Sequence, residues 1–504
     1  MCQTAEGTAA LRTAGLPHWR ANPPAGMLLG RTRHRRFNTM AITVEAMETW
    51  LNRLLGAAPD APRLPLKGFL EGIGQLESLA DVPRGTPVLV RGDTDCKPGD
   101  KVGKGDIRLR SMAETLNYGR SKGWIQVIFG HIGRDPKGSL DKVRARLAEI
   151  LGCEVGFIAD WLDSQSATIL DAVPQAIRAA APGSVILLEN TRKYDVETVL
   201  WKAKPKDIPA LAPKLAKLAN EFAEKVAKVY VHEAFSAGSL DSSSTVVPAA
   251  MDRVALGKYE AGEFWGPLMD CLDAQLVVSS GLKIDKLDDL TAMIDRGKIR
   301  WVFTGGSLAM GLKKAAAELE GQTFCVGVAE DPAHSDKPYY IPPARVEQAK
   351  KLIAEGREKG IRFVMPVDFV LQDGRVSTTI GPGDQQLDVG PATGDYFEQK
   401  IGEFLAEVKS QPGPAVAFHN GVLGMFEDPK FEAGTRRFMA QLKRMKDAGV
   451  KVYVGGGEGG KALEKYGKED WVTHNFTAGG TVLNALGSEP VPYLVALWMA
   501  SKKA

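Results

Sequence analysis

The stretch Gly449–Leu463, GVKVYVGGGEGGKAL, decides the fold class of this chain. Its alternating apolar run Val450–Val454 predicts a short buried strand, a run rich in glycine follows, and Lys461 then opens a helical pattern. A glycine loop between a strand and the start of a helix favours an anion, because backbone N–H groups point towards the ligand and no side chain blocks its approach. The stretch therefore predicts a phosphate-binding α/β unit, and a nucleotide is the ligand that we expect.

Three phosphate-binding patterns fit these glycines. Gly455, Gly457 and Gly460 satisfy G-x-G-x-x-G, which is typical of dinucleotide-binding oxidoreductases and makes such an enzyme a remote alternative. That class also predicts an acid about twenty positions further on, where this chain has WVTHNFTAGGTV. A P-loop is disfavoured because Ala462 stands where Ser or Thr would hold Mg²⁺. The third pattern is a turn of three glycines followed by an acid, Glu458.

The composition is that of a soluble protein with about two domains. The chain has 504 residues, of which 44% are hydrophobic and 25% charged, and this length exceeds one ordinary core. No apolar run reaches the roughly eighteen residues that span a bilayer. A net charge of +3 indicates neither nucleic acid nor a membrane as a partner. The five scattered cysteines indicate a reducing compartment, so we expect a cytoplasmic protein without a disulfide framework or zinc site.

The first 39 residues differ in composition from the rest of the chain. They contain six arginines against the single acid Glu6 and show no periodic apolar face. We expect them to be a disordered tail or a targeting segment, or to precede the true start at Met40. The pattern of Ile42–Leu55 then predicts an amphipathic helix. Residues 1–75 are together predicted to form an N-terminal extension.

From Thr86 onward, short apolar runs alternate with helical patterns. Such runs, when joined through helices, are typical of parallel strands covered on both faces, so we expect two doubly wound parallel α/β domains in tandem. The segment Glu260–Ala274 predicts one hinge helix between them. The predicted strands are Pro87–Arg91, Ile125–Gly130, Ser184–Glu189, Val229–Val231, Ala274–Val278, Trp301–Phe303, Thr323–Gly327, Arg362–Val367, Ala415–Phe418 and Val450–Val454. The predicted helices include Leu140–Leu151, Leu211–Ala227, Arg345–Lys359 and Gly434–Asp447.

Ligands of doubly wound sheets bind beyond the carboxyl ends of the strands, and charged residues or glycines follow several predicted strands. In the first unit these residues suit a small anion: Asp93, Asp95, Arg108, His131, Arg134 and Arg192. In the second unit they suit the phosphates of a nucleotide: Lys283, Lys286, Gly305, Asn420, Gly421 and Glu427. One unit for an anion and one for a nucleotide indicate group transfer across a cleft.

The chain resembles the phosphoglycerate kinase family over roughly residues 76–504. Seven segments match the motifs of that family in order: VLVRGDTD, GHIGRD, LLENTR, VHEAF, FHNGVLGMFE, VGGGEGG and FTAGG. The resemblance implies a substrate domain of residues 76–260 plus 485–504 and a nucleotide domain of residues 261–484. It also implies a cytoplasmic monomer that transfers a phosphoryl group between ATP and the carboxylate of 3-phosphoglycerate, with Mg²⁺.

The same resemblance implies a role for each candidate residue. The residues expected to bind the acceptor are Asp93, Asp95, Arg108, His131, Arg134 and Arg192. Those expected to bind the nucleotide are Lys286, Gly305, Asn420, Gly421, Glu427, Gly456, Gly457, Glu458 and Gly459. The expected catalytic residues are Arg108 and one or both of Lys283 and Lys286. Glu458 is expected to hold Mg²⁺, and the helix after Thr477 to stabilise the transferring phosphate through its N–H groups.

The chain departs from the family pattern at several of these positions. Asp95 stands where the family has asparagine, and Ser239 and Leu240 replace a histidine–arginine pair. The missing arginine is expected to weaken acceptor binding roughly 30- to 150-fold, since a charged hydrogen bond contributes about 2–3 kcal/mol. In the glycine loop, Glu458 replaces an aspartate and Gly459 replaces Ser or Thr. The alternative function is therefore a divergent member that acts on another carboxylate or phosphorylated metabolite, or that binds nucleotide without this activity.

Overall fold

The structure, a computed structural model, describes residues 41–503, so the expectations for residues 1–39 and for Met40 lie outside the described residues. Its α-helices are α1 (Val44–Leu54), α2 (Leu66–Gly72), α3 (Ile107–Ser111), α4 (Ala113–Lys122), α5 (Asp141–Leu151), α6 (Ala172–Ala179), α7 (Ile208–Lys225), α8 (Ser242–Thr245), α9 (Lys258–Glu263), α10 (Met269–Cys271), α11 (Lys286–Asp295), α12 (Gly306–Leu319), α13 (Pro343–Glu358), α14 (Pro391–Val408), α15 (Ala433–Asp447), α16 (Gly457–Tyr466), α17 (Gly479–Leu486) and α18 (Pro492–Ser501). Its strands are β1 (Gly74–Gln75), β2 (Pro87–Gly92), β3 (Ile125–Phe129), β4 (Val155–Ile158), β5 (Leu162–Asp163), β6 (Thr168–Ile169), β7 (Val185–Leu188), β8 (Val229–Glu233), β9 (Arg253–Leu256), β10 (Leu276–Ser279), β11 (Trp301–Thr304), β12 (Arg362–Val364), β13 (Phe369–Leu371), β14 (Val376–Ser377), β15 (Gln386–Val389), β16 (Val416–Asn420), β17 (Lys451–Gly455) and β18 (His474–Asn475).

The first sheet is parallel throughout and has the strand order β1-β9-β8-β2-β3-β7-β4. Strands β2, β3, β7 and β8 confirm the four strands predicted for this half, with ends that differ by at most two residues. All their residues except Pro87 are buried, which explains why they read as continuous apolar runs. The strand order reverses between β2 and β8, so the loops after these two strands open at one edge of the sheet.

The second sheet is also parallel and has the strand order β12-β11-β10-β16-β17-β18. Its order reverses between β10 and β16, and the loops after these strands form a second crevice of the same kind. The two sheets confirm the predicted doubly wound α/β class. A small antiparallel sheet, β14-β13-β15, lies outside this framework, and its strands of two to four residues were not predicted.

One predicted strand of the second half is wrong. Thr323–Gly327 is an irregular segment that leads into a 3₁₀ turn at Gly327–Glu330. Gly327 has a φ of +64°, which ends any extended run, and the backbone N–H of Val326 donates to the side chain of Glu330 (3.0 Å) instead of to a neighbouring strand. The helix expected from Lys461 begins earlier than predicted, at Gly457 within the glycine loop.

A continuous helical segment, Lys258–Cys271, connects the two sheets and confirms the predicted connecting helix. It consists of α9, a π-helical turn at Phe264–Leu268, and α10. Pro267 lies inside the π-helical turn, where its missing N–H interrupts the regular α-helical pattern. Lys451 of β17 forms an ion pair with Asp270 (2.7 Å), which attaches the end of this segment to the second sheet.

Both ends of the described chain pack around the first sheet. Helix α1 lies against α7, and the indole N–H of Trp50 donates to the carbonyl oxygen of Thr245 (2.9 Å). Helix α18 packs on α2, α8 and β9. Its Tyr493 stacks on His232 of β8, with ring centres 4.1 Å apart. The last helix of the chain therefore covers a strand that was made some 260 residues earlier.

No helix within residues 41–503 combines the length and the apolar character needed to cross a bilayer. In the same range, no group of three or more His, Cys, Asp or Glu side chains is placed to hold a metal ion. The described cysteines are free thiols: Cys96, Cys153, Cys271 and Cys325.

Candidate active site

The loops after β2, β3, β7 and β8 meet at one edge of the first sheet and carry the predicted acceptor residues. Asp93, directly after β2, is buried and accepts hydrogen bonds from the backbone N–H (3.1 Å) and the hydroxyl (2.6 Å) of Ser236. Ser236 lies in the loop after β8, so Asp93 ties together the two strand ends at which the sheet order reverses.

Arg108, on α3, lies between the two sheets. Its Nη1 donates to the carbonyl oxygen (2.6 Å) and the carboxylate (2.9 Å) of Asp95, and its Nη2 donates to the carbonyl oxygen of Thr477 (3.1 Å). Its Nε lies 3.9 Å from Asp93. Arg108 therefore contacts both halves of the molecule. It also faces solvent, because 24% of its side chain remains exposed.

His131, after β3, is held as a neutral imidazole. Arg91 of β2 donates from Nη2 to Nδ1 of His131 (2.8 Å), and because a guanidinium can only donate, the imidazole proton lies on Nε2. Burial lowers the pKa of His131 well below its usual value, and the positive charge of Arg91 lowers it further. Nε2 lies 3.8 Å from the carboxylate of Asp95. His131 therefore offers one N–H to the site.

Arg192, after β7, is held by groups of the protein itself. Its Nη1 donates to the carbonyl oxygen of Gly133 (2.5 Å), and its Nη2 donates to the carboxylate of Asp241 (3.3 Å). Its guanidinium carbon lies 4.7 Å from the ring centre of Trp201. Its Nε is buried and has no hydrogen-bond partner among the described residues. Arg192 thus keeps one unused N–H.

Asp241 is the site residue that sequence reasoning missed. It is fully buried in the loop after β8, with a carboxylate oxygen 3.4 Å from Arg91 and 3.3 Å from Arg192. The run AFSAGSLDSSST places this acid directly after Ser239 and Leu240. Leu240 packs against the apolar core, and Ser239 is exposed. An acid beside the position of a lost arginine was the signal that could have revealed it.

Five of the six predicted acceptor residues form one connected cluster, and Arg134 lies outside it. Gly133 connects two members of the cluster: its backbone N–H donates to the carboxylate of Asp95 (2.7 Å), and its carbonyl oxygen accepts from Arg192. Arg134 is exposed and, within residues 41–503, makes no hydrogen bond or ion pair. It is therefore a freely available cation beside the cluster.

The nucleotide side lies where the order of the second sheet reverses. Strands β10 and β16 are adjacent there, and the backbone N–H of Ser280 donates to the carbonyl oxygen of Asn420 (3.0 Å). Gly421 follows with a φ of +98°, and a Cβ at this position would overlap the carbonyl oxygen of Ser280. Gly305, after β11, is also buried, and a Cβ there would press on Leu423. Glycine is thus required for the strand ends to approach each other.

Lys283 and Lys286, between which the sequence did not decide, differ in their surroundings. Lys286 is partly buried at the start of α11 and donates to the carbonyl oxygen of Ser280 and to Oδ1 of Asn420 (2.8 Å). Burial lowers the pKa of Lys286, and the carboxylate of Glu458 opposes that shift. Lys283 is exposed and has no ion pair or hydrogen bond to the part of the chain that is described. The structure brings Lys286 into the crevice and leaves Lys283 at its rim.

The glycine loop is joined to this crevice through Asn420. The amide Nδ2 of Asn420 donates to the carbonyl oxygen of Gly455 (2.9 Å), and Gly456 next to it has a φ of +104°. Gly457 then begins α16, and Gly459 is buried in its first turn. Asn420 therefore links Lys286 to the glycine loop.

Glu458, the predicted metal ligand, is exposed in the first turn of α16. Its carboxylate and the ammonium of Lys286 both lie close to Gly281, on the crevice side of the loop. Proteins usually hold Mg²⁺ at a nucleotide through one or two carboxylates together with phosphate oxygens, so one exposed carboxylate at this place fits the ion. Glu427, predicted at the ribose, is exposed on the loop after β16.

The residues around the start of α17 connect the two sides. Thr477, which accepts from Arg108, also shares a hydrogen bond with the hydroxyl of Tyr259 (3.1 Å). Thr481 donates to the carbonyl oxygen of Phe235, in the loop after β8. The N-terminus of α17 therefore lies between the acceptor cluster and the nucleotide crevice.

Comparisons with known proteins relate this chain to one family. A sequence model of the family described as phosphoglycerate kinase matches residues 79–489. The chain is 30% identical to phosphoglycerate kinase of Clostridium beijerinckii over 426 residues, which cover 82% of this chain and 96% of that protein. It is 29% identical to a protein of Triticum aestivum named phosphoglycerate kinase, cytosolic, over 434 residues, again 82% and 96% of the two chains.

Solved structures show the same fold. A crystal structure of phosphoglycerate kinase from Pyrococcus horikoshii OT3 matches with a TM-score of 0.64 at 23% identity, covering 86% of this chain and 100% of that one. Phosphoglycerate kinase from Coxiella burnetii matches with a TM-score of 0.59 at 21% identity, covering 84% and 97%.

Proposed function

This chain belongs to the phosphoglycerate kinase family, and from that premise we propose that it transfers a phosphoryl group between ATP and the carboxylate of 3-phosphoglycerate. The enzyme is a phosphotransferase with a carboxyl group as acceptor. The oxidoreductase suggested by the glycine spacing is set aside, because the matched family covers the glycine loop itself.

A single observation carries the proposal. Arg108 donates to Asp95 on the acceptor side and to the carbonyl oxygen of Thr477, next to the start of α17, on the nucleotide side. A guanidinium at this junction is placed to neutralise charge on a group that passes between the two sides. Phosphoryl transfer needs such positioning and charge neutralisation and no covalent intermediate with the protein.

On the acceptor side, Arg108 binds the reacting carboxylate, with Asp93 and Asp95 fixing the surrounding loops. The distal phosphate of the acceptor is held by the remaining cations and N–H donors of the cluster, namely His131, Arg134 and Arg192. His131 contributes as a neutral donor through Nε2, because Arg91 occupies its other nitrogen.

On the nucleotide side, Lys286 contacts the transferring phosphate, with Lys283 as a second cation at the rim. The backbone N–H groups at the start of α17 face the same phosphate, as expected for an anion at a helix N-terminus. The residues that line the nucleotide are Gly305, Asn420, Gly421, Glu427, Gly456, Gly457 and Gly459. Glu458, together with the nucleotide phosphates, would hold Mg²⁺, which would supply further neutralisation of the phosphate oxygens.

The coarser organisation is also part of the proposal. The substrate domain comprises residues 76–260 with 485–504, the nucleotide domain residues 261–484, and residues 1–75 an extension whose last two residues, as β1, add an edge strand to the first sheet. The partners are a small acceptor molecule and a nucleotide, without nucleic acid or membrane. The protein is a monomer, and it is located in the cytoplasm, as the name of the wheat relative states for that protein. Sedimentation equilibrium tests the monomeric state, and cell fractionation tests the cytoplasmic location.

A coupled assay with Mg·ATP and 3-phosphoglycerate tests the function. We expect turnover by the purified protein and a loss of at least about a hundredfold in Arg108→Ala, the magnitude typical of removing one group that stabilises transition-state charge. Arg178→Ala, which changes an exposed arginine on α6, is the matched control and should retain wild-type turnover. Wild-type turnover no higher than that of Arg108→Ala would contradict the proposal.

A further inference from the structure

Arg192 of the acceptor cluster and the neighbouring Arg91 already share one acid of the protein itself. Arg192 and Arg91 both face the carboxylate of Asp241, at 3.3 and 3.4 Å. This carboxylate is fully buried, and the indole N–H of Trp201 donates to its second oxygen (2.8 Å). The place where an acceptor's phosphate would meet Arg192 is thus partly taken by an internal anion.

The orientation of Asp241 is not explained by helix capping. Asp241 immediately precedes α8, where an aspartate commonly accepts hydrogen bonds from the first backbone N–H groups of a helix, yet its side chain makes no such bond. Instead Glu197 accepts from the backbone N–H of Ser243 (2.9 Å). With the helix start served by Glu197, the side chain of Asp241 is directed to the arginines and Trp201.

We infer that Asp241 determines specificity by competing with the acceptor's phosphate for Arg192, an inference that rests on the proposed function. A carboxylate oxygen offers a guanidinium the same charged hydrogen bond as a phosphate oxygen. A phosphate that approaches Arg192 must displace Asp241 or bind beside a second negative charge, and either event weakens its binding.

Asp241 competes with the acceptor's phosphate for only part of the Arg192 guanidinium, so turnover remains possible. The Nε of Arg192 is buried without a partner among residues 41–503, and Arg134 is exposed beside the cluster. Arg134 remains directly available to a phosphate, and the unpaired Nε of Arg192 can donate to it once this buried atom becomes accessible, while Asp241 holds the Nη2 side of the guanidinium. The site therefore accepts a phosphorylated acceptor with reduced affinity.

The first experiment measures binding by calorimetry on the full chain, with 3-phosphoglycerate and with inorganic phosphate as separate probes. We expect Asp241→Asn to bind both at least about tenfold more tightly than the wild type, as removal of one charged competitor implies. Asp171→Asn, an exposed aspartate before α6, should bind like the wild type. In the coupled assay, Asp241→Asn should lower the KM for 3-phosphoglycerate more than it changes kcat.

The second experiment asks whether the gain acts through Arg192. In Arg192→Gln, the further change Asp241→Asn should give less than about a twofold gain in affinity, because the contested cation is gone. A gain that persists without Arg192 would overturn the inference, as would unchanged or weaker phosphate binding in Asp241→Asn.

A separate control for folding is needed, because the carboxylate of Asp241 also balances the charge of the buried Arg91. If thermal melting shows that Asp241→Asn is unfolded, the double variant Arg91→Gln/Asp241→Asn removes both charges of the buried pair together and frees Arg192 in the same way. The same tenfold gain is expected of it, and no gain contradicts the inference. The phosphate probe needs no turnover, so tighter phosphate binding without any kinase activity would contradict only the proposed function. Turnover with an unchanged KM would contradict only the role of Asp241.

Discussion

Asp95 holds Arg108 by the chemistry with which an acceptor carboxylate would hold it. The carboxylate of Asp95 lies 2.9 Å from Nη1 of Arg108, and its other oxygen accepts from the backbone N–H of Gly133 (2.7 Å). Asparagine, which the family pattern has at this position, would keep one acceptor oxygen and lose the negative charge. At both Asp95 and Asp241, therefore, an internal acid faces an arginine to which the proposed function gives a role.

At this position we expect Asp95→Asn to lower the KM for 3-phosphoglycerate by about fivefold. The effect is kept small because both side chains are partly exposed, and solvent screens their interaction. The coupled assay with varied acceptor measures it. Asp100→Asn, an exposed aspartate of the same loop, serves as the control. A KM that stays the same or rises would show that Asp95 orders Arg108 for binding and does not compete with the acceptor.

Glu458 allows a test of the metal that is independent of turnover. Because it is the predicted protein ligand of Mg²⁺, Glu458→Ala should weaken binding of Mg·ADP by about tenfold and change binding of metal-free ADP much less. Titration calorimetry with and without Mg²⁺ separates the two. Glu464→Ala, exposed on the same helix, is the control. Equal losses with and without the metal would remove Glu458 from the Mg²⁺ site.

Among the elements, helix α17 is positioned by the glycine loop through one close contact. A Cβ on Gly479 would overlap the Cα of Gly456, whereas a Cβ on the adjacent Gly480 would meet no atom within 4 Å. The two glycines lie in the same helix turn and form a matched pair.

Gly479→Ala should lower the free energy of unfolding by about 1–3 kcal/mol and reduce turnover, because α17 must move away from the loop. Gly480→Ala should leave stability unchanged or raise it by up to about 1 kcal/mol through helix propensity. Urea unfolding of both variants measures the difference. Equal stabilities would mean that the contact is relieved without moving the helix.

The predictability of individual elements depended on burial. Strand β7 was predicted because all four of its residues are buried on both faces, so its sequence alone is diagnostic. Thr323–Gly327 is comparably apolar, but Phe324 packs against Phe369 (ring centres 6.0 Å apart) without its backbone pairing into a strand. Only Val326 and Gly327 of this run are buried, so an apolar run shows neither that a whole segment is buried nor what its backbone bonds to.

For the molecule as a whole, the buried acid Glu197 links stability to pH. Burial and the charge of Asp241 raise the pKa of Glu197 to about 7, from an ordinary value of 4.5. The folded state therefore binds this proton more tightly than the unfolded state does. The resulting stability is fully present below pH 4.5 and is lost as the pH rises through about 7.

Glu197→Gln should remove this dependence. Between pH 4.5 and 7, the free energy of unfolding of the wild type should fall relative to that of the variant by up to roughly 3 kcal/mol. Urea denaturation at several pH values measures the difference between the two proteins, which does not depend on their absolute stabilities. Parallel pH profiles would show that Glu197 is not protonated in the folded protein.

The sequence predicted individual residues of the acceptor cluster but not the contacts between their side chains. The strand-end rule selected Arg108, His131 and Arg192, because the loops of a doubly wound sheet meet at one edge. The contacts of Asp241 with Arg192 and Trp201 join loops 49 and 40 residues apart. A single sequence does not specify such side-chain orientations, since they arise only when the whole sheet has assembled.

The position of α18 has a consequence for how the protein is made. Synthesis on the ribosome proceeds from the N-terminus, so β8 leaves the ribosome long before the helix whose Tyr493 stacks on its His232. Until α18 itself emerges, the apolar face that it covers must stay open or be shielded by a chaperone. The seven-stranded sheet can therefore complete its folding only after α18 has been synthesised, although β1 precedes every other strand of the described residues.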